Sequence, residues 1–174
     1  HIWEMEGTSH DLHGHKVGIG TLITTALYTF LFNEGVEGGE PLKEREELLN
    51  EKLTLLRDNF SYLGDLSKME QILKTKYSPT KDQAKRRELL MGGWPQLKTK
   101  LAGQLFTYEE TKERLLAVGA PTRAEEIGLT RSVAIETVRK SQLLRTRYTI
   151  LDVVDDLGLM ERAIDYIGEG REFL

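Results

Sequence analysis

The sequence predicts an all-α domain, a bundle of roughly seven to nine helices, and three observations carry that expectation. Apolar residues recur at spacings of three and four almost from end to end; strict alternation persists nowhere; and the helical segments are punctuated by capping residues and glycines. The 174 residues are 39% hydrophobic and 30% charged, which suits one domain of ordinary composition with a core of its own.

The longest stripe is Ile19, Leu22, Ile23, Ala26, Leu27, Phe30 and Leu31, one buried face of one helix. It is expected to stop at the glycines of residues 34–39, ahead of Pro41. Leu49, Leu53, Leu56 and Phe60 mark a second helix, Leu66, Met69, Ile72, Leu73 and Tyr77 a third, and Trp94, Leu97, Leu101 and Leu105 a fourth. Four pairs match the capping box, in which a hydroxyl and a carboxylate or amide three residues on satisfy each other's backbone amides: Ser67 with Glu70, Thr80 with Gln83, Thr107 with Glu110 and Thr122 with Glu125. Stops are expected at Gly64, the Gly92 and Gly93 pair, Gly119 before Pro121, Gly128 and Gly158. The stretch from Tyr148 to Val154 is rich in β-branched residues, as a strand would be. Its Ile150, Leu151, Val154 and Leu157 keep the helical period, so a helix is predicted there too.

Composition excludes whole classes of chemistry. There is no cysteine, hence no disulfide framework, thiolate zinc site or cysteine nucleophile, and any metal must take nitrogen and oxygen ligands. No apolar run approaches a membrane span, and the amino terminus lacks the basic-then-apolar order of a secretory signal, so a cytoplasmic soluble protein is expected. The net charge of -4 hides a locally basic segment: residues 74–100 carry eight basic and two acidic side chains. Such a segment attracts phosphate groups, but a solvated helix face explains it at least as well, and without interleaved aromatics no nucleic-acid partner is expected. Asp152, Asp155 and Asp156 are likewise read as a solvated helix face rather than a cation site. Gly18 and Gly20 begin a dinucleotide fingerprint, but Ile23 stands at the third glycine position and no strand precedes it.

All four histidines, His1, His10, His13 and His15, fall in the first fifteen residues. Imidazole is the commonest protein metal ligand, and His13 stands where the long apolar helix begins. Gly14 and Gly18, one turn apart on that helix, would admit close approach of another group. Spacing leaves two readings open, a metal site or surface histidines beside a tight helix contact. His13 and His15 point to different faces of a helix, and His10 could join His13 only if the helix had begun by Asp11.

The segments His1 to Met5 and Leu12 to Gly20 resemble the helical domain of the sn-glycerol-1-phosphate dehydrogenases, in the superfamily of glycerol dehydrogenase, iron-dependent alcohol dehydrogenases and 3-dehydroquinate synthase. Residues 119–122, 125–128 and 145–152 resemble the carboxy-terminal signature of the bacterial AraM-type branch. The resemblance implies a helical metal and substrate domain over residues 1–174, acting on dihydroxyacetone phosphate or sn-glycerol 1-phosphate with NAD(P) and zinc or nickel. It makes His13 a metal ligand, His1 an active-site neighbour that contacts substrate or relays a proton, and Lys16 a candidate for the substrate phosphate. The family's glycine loop, metal-binding aspartate and first histidine ligand have no counterpart among these residues. The expected partner is therefore a separate nucleotide-binding domain, with homodimerisation through apolar helix faces also expected, and the 174-residue chain alone is predicted to be inactive. A reading from another class is a stand-alone helical interaction module that has lost catalysis and works through the basic segment, notably Lys85, Arg86 and Arg87.

Overall fold

A computed structural model describes residues 1–77 and 82–169. The chain forms α1 (Ile2–Met5), α2 (His13–Glu34), α3 (Arg45–Phe60), α4 (Ser67–Lys76), α5 (Gln83–Ala102), α6 (Tyr108–Ala117), α7 (Arg131–Ser141), α8 (Ile150–Asp156) and α9 (Met160–Glu169). Short 3₁₀ turns at Ser61–Leu63, Ala124–Ile127 and Gln142–Leu144 complete it, and no strand occurs among the described residues. The domain is all-α, as its periodicity predicts. No described helix is long and apolar enough to cross a membrane.

The predicted stripe of α2 is buried along its whole length, with Ile19, Leu22, Ala26 and Leu31 completely enclosed. It packs against α6, α8 and α9, and with Trp3, Tyr108, Leu157 and Ile167 forms the larger of two cores. The smaller core joins Leu53, Leu56 and Phe60 of α3 to Leu73, Tyr77 and Leu143. The single turn of α1 lies on the seam: its Ile2 belongs to the smaller core and its Trp3 to the larger. A four-residue helix has no stability of its own, so these two side chains hold it in place.

Local signals set several element ends. Thr107 and Glu110 form the predicted capping box, with Glu110 N–H donating to Thr107 Oγ1 at 3.1 Å and Thr107 N–H to Glu110 Oε2 at 2.8 Å. Thr107→Ala is expected to cost about 1 kcal/mol in urea denaturation, because it strips one cap from a ten-residue helix. Gly64, Gly119, Gly128 and Gly158 all take positive φ where chain direction changes. At Gly158 a Cβ would also stand 2.4 Å from the Glu40 carbonyl oxygen, which fixes glycine there.

Other expectations are corrected. Leu66 occupies the N-cap position of α4 with no side-chain cap; Asp65 Oδ1 just before it accepts the Ser67 N–H at 2.9 Å, while Glu70 turns to Arg57. Glu126, not Glu125, accepts the amides of Thr122 and Arg123, each at 2.8 Å, and these two bonds hold its carboxyl below the usual range. Asp82 caps α5 by accepting the Lys85 N–H; Thr80 lies outside the described residues. Gly92 and Gly93 do not end a helix, since neither has positive φ and α5 runs through them and Pro95. The reason is tertiary: Trp94 docks on Phe32 with ring centroids 6.1 Å apart, and Lys98 Nζ donates to the Phe32 carbonyl at 2.6 Å.

The largest correction concerns charge. Asp152 and Asp156 are buried rather than solvated. Lys76 Nζ lies 2.6 Å from Asp152, Lys52 Nζ 2.9 Å from Asp155, and Arg86 grips Asp156 through both Nε and Nη2. Tyr148 donates its hydroxyl to Asp156 at 2.8 Å, and burial together with that bond pushes the phenol well above its ordinary range. Arg87 donates to the carbonyls of Gly39 and Glu40. Much of the basic segment therefore docks α4 and α5 onto α8 and the loop after α2.

Candidate functional site

A cavity of about 610 Å³ opens along the seam between the two cores, walled by α1, α2, α7 and the chain from Gln142 into α8. It brings together the three residues singled out from the sequence, His1, His13 and Lys16. Its floor is apolar, with Trp3, Ile23, Leu27 and Val138 among the lining side chains. Trp3 is fixed there because its indole Nε1–H donates to Thr137 Oγ1 of α7 at 2.9 Å.

Glu4 organises the mouth, a role that sequence reasoning missed. Its Oε1 accepts from His13 Nδ1 at 2.7 Å, its Oε2 lies 3.4 Å from His1 Nδ1, and Lys16 Nζ is 3.8 Å from Oε1. The bond from His13 pulls the Glu4 carboxyl below the usual carboxylate range. A carboxylate only accepts, so neutral His13 carries its proton on Nδ1 and leaves the Nε2 lone pair available. A carboxylate on the far nitrogen is the usual support of a metal-ligating histidine. The His1 and His13 rings are 5.7 Å apart, and both side chains are largely exposed. The available signal was the spacing: Glu4 follows His1 by one turn, and both stand on the element that Trp3 anchors.

His15 is directed elsewhere. Its Nδ1 donates to Asp11 Oδ1 at 2.8 Å, and Asp11, which also accepts the Leu12 N–H, is held below its ordinary range by those bonds. Since α2 begins only at His13, His10 is not on the same helical face, and it does not line the cavity. Gly18 does meet a close neighbour, Leu115 of α6, at 3.4 Å from where its Cβ would be, whereas Gly14 faces open space.

Among the described residues no group of three or more His, Asp or Glu side chains is arranged to hold a metal ion. His13, with Glu4 bonded to its Nδ1, is one imidazole donor presented at the cavity mouth.

The cavity lining is rich in cations. Lys76, Arg145 and Arg147 join Lys16 there, and no carboxylate does. Lys16 and Lys76 are both buried, each close to a carboxylate, Glu4 and Asp152 respectively.

No family model matches the chain, and no solved structure matches it. Two curated proteins share a segment with it. The glycerol-1-phosphate dehydrogenase, NAD(P)+, of Thermofilum pendens is 42% identical over 50 residues, and that of Haloarcula marismortui is 36% identical over 50 residues. Each match covers 29% of this chain and 14% of the relative, so the matched stretch spans only a small part of either protein. Over that stretch, this all-helical chain is partially related to the glycerol-1-phosphate dehydrogenases.

Proposed function

We propose that this chain is the metal- and substrate-binding part of an NAD(P)-linked glycerol-1-phosphate dehydrogenase, interconverting dihydroxyacetone phosphate and sn-glycerol 1-phosphate together with a nucleotide-binding domain outside these 174 residues. The observation that carries the reading is the single cavity lined by His1, His13 and Lys16, with Glu4 bonded to His13 at its mouth. The partial relation to two dehydrogenases supports it.

In this reading His13 Nε2 holds zinc or nickel, with Glu4 fixing the ring from behind. Bound there, the metal supplies Lewis-acid polarisation of the substrate oxygen, while NAD(P) carries the hydride. His1, beside His13 and facing the same carboxylate, moves the substrate hydroxyl proton. Lys16 binds the phosphorylated end of the substrate. The apolar floor keeps water from the carbon skeleton.

Equilibrium dialysis of the chain against Zn²⁺ and Ni²⁺, with sn-glycerol 1-phosphate or glycerol present, tests the assignment. The expected result is metal retention strengthened by the phosphorylated polyol and weakened about 10- to 100-fold in His13→Ala and Glu4→Gln. Undiminished retention in His13→Ala would remove that residue from the site. The chain alone should not reduce dihydroxyacetone phosphate with NADH or NADPH, and turnover by the isolated chain would overturn the division of labour.

A further inference from the structure

The cationic lining carries an inference about which residues hold the substrate's anionic end. In a protein of net charge -4, the cavity is lined by two lysines and two arginines and by no carboxylate. Lys16 and Lys76 are not free charges, because Glu4 and Asp152 stand beside them. Arg145 and Arg147 differ: neither makes a hydrogen bond or ion pair with any described residue. Several other arginines are held within the fold, Arg86 on Asp156, Arg87 on two carbonyls and Arg139 on Glu161.

The backbone that carries the two arginines is fixed at both ends. Before it, Leu143 is completely buried. After it, Tyr148 is tied to Asp156, and Thr149 donates its N–H and its hydroxyl to Asp152 at 2.8 and 3.0 Å. Two exposed guanidinium groups on a held segment, with no partner among the described residues, line an open cleft of small-molecule size. Arg145 also lines a second, smaller depression together with His1 and Glu4.

We propose that Arg145 and Arg147 form the anion subsite of this cavity and clamp a phosphate monoester so that the rest of the ligand extends toward His1 and His13. A guanidinium offers a planar fork of donors that matches phosphate oxygens in pairs, and two such forks suit a dianion better than a carboxylate. Lys16, already beside Glu4, plays the smaller part. The proposal rests on the reading of the cavity as the substrate site.

The test is ligand binding to the full 174-residue chain, followed by Trp3 fluorescence in a Trp94→Phe background, with inorganic phosphate, sn-glycerol 1-phosphate and glycerol as probes. The native residues should bind both phosphate compounds, more weakly as salt is raised, and should bind glycerol far less tightly. Arg145→Gln and Arg147→Gln, exposed positions outside both cores, should leave circular dichroism unchanged while each weakens phosphate binding roughly tenfold. The double variant should lose it. Unaltered affinity in the double variant, with loss in Lys16→Gln, would overturn the subsite, as would absence of phosphate binding by the native residues at millimolar concentration. If phosphate is held through the arginines while His13→Ala leaves metal binding untouched, the subsite stands and the dehydrogenase reading fails.

Discussion

Asp152→Ala is expected to destabilise the fold by about 3–5 kcal/mol, because it leaves the ammonium of Lys76 buried without its counter-charge. The side chains of both partners are more than nine-tenths buried and 2.6 Å apart. Asp152 carries more than one duty: its Oδ2 caps α8 through Thr149, and its Oδ1 lies 3.3 Å from Gln142 Nε2. Lys76 in turn donates to the Gln142 carbonyl at 3.0 Å, so the pair joins α4, the turn after α7 and α8. Urea denaturation monitored by circular dichroism reads the loss directly. The paired replacement Lys76→Met with Asp152→Leu should recover most of it, since removing both charges also removes the desolvation penalty. A loss below about 1 kcal/mol in the single variant would mean that water reaches the pair, as it does at surface ion pairs.

Trp3→Ala should cost a similar amount, about 3–5 kcal/mol, and should also disorder the mouth of the cavity. Trp3 is 4% exposed, joins the core around α2, and is bonded to Thr137. Removing it opens a cavity and leaves Thr137 Oγ1 without the indole N–H. It also leaves α1, the turn that carries Glu4, held by Ile2 alone. Trp3→Phe keeps most of the packing and should lose only about 1 kcal/mol for the hydrogen bond. Nitrogen-detected histidine spectra supply the second measurement, and with four histidines in the chain they are simple to assign. The native chain should show His13 protonated on Nδ1, Trp3→Phe should retain that signature, and Trp3→Ala should lose it. A Trp3→Ala variant with native stability and native His13 tautomer would contradict the anchoring role.

The comparison of sequence with structure divides by the range of the interactions involved. The stripe of α2, the box of Thr107 and Glu110, and the helix over Ile150–Asp156 were legible because helical period and capping depend on residues three or four apart. Gly92 and Gly93 misled because a glycine's cost within a helix is small, about 1 kcal/mol, and the docking of Trp94 outweighs it. The aspartates of α8 misled for a related reason. Their spacing identifies a polar helix face, but whether that face meets water or lysine and arginine depends on where α3, α4 and α5 come to rest. The basic segment that motivated an interaction module supplies two of those partners, Lys76 and Arg86, while Lys52 of α3 is the third, and Arg87 of the same segment is bonded to the carbonyls of Gly39 and Glu40.

The candidate site divides in the same way. By itself the sequence determined the helical class, the buried stripe that starts at the histidine segment, and the residue types available there: imidazole, lysine and no thiol. Only the tertiary structure decided that Glu4 would stand behind His13, that His15 would turn to Asp11, and that Arg145 and Arg147 would face the same cavity across more than a hundred residues of chain. Periodicity fixes which face of a helix is buried, because apolar area leaves water whatever covers it. Which charge meets which is set by packing, because an ion pair requires two particular atoms within a few ångströms of each other, and that distance is a property of the assembled bundle.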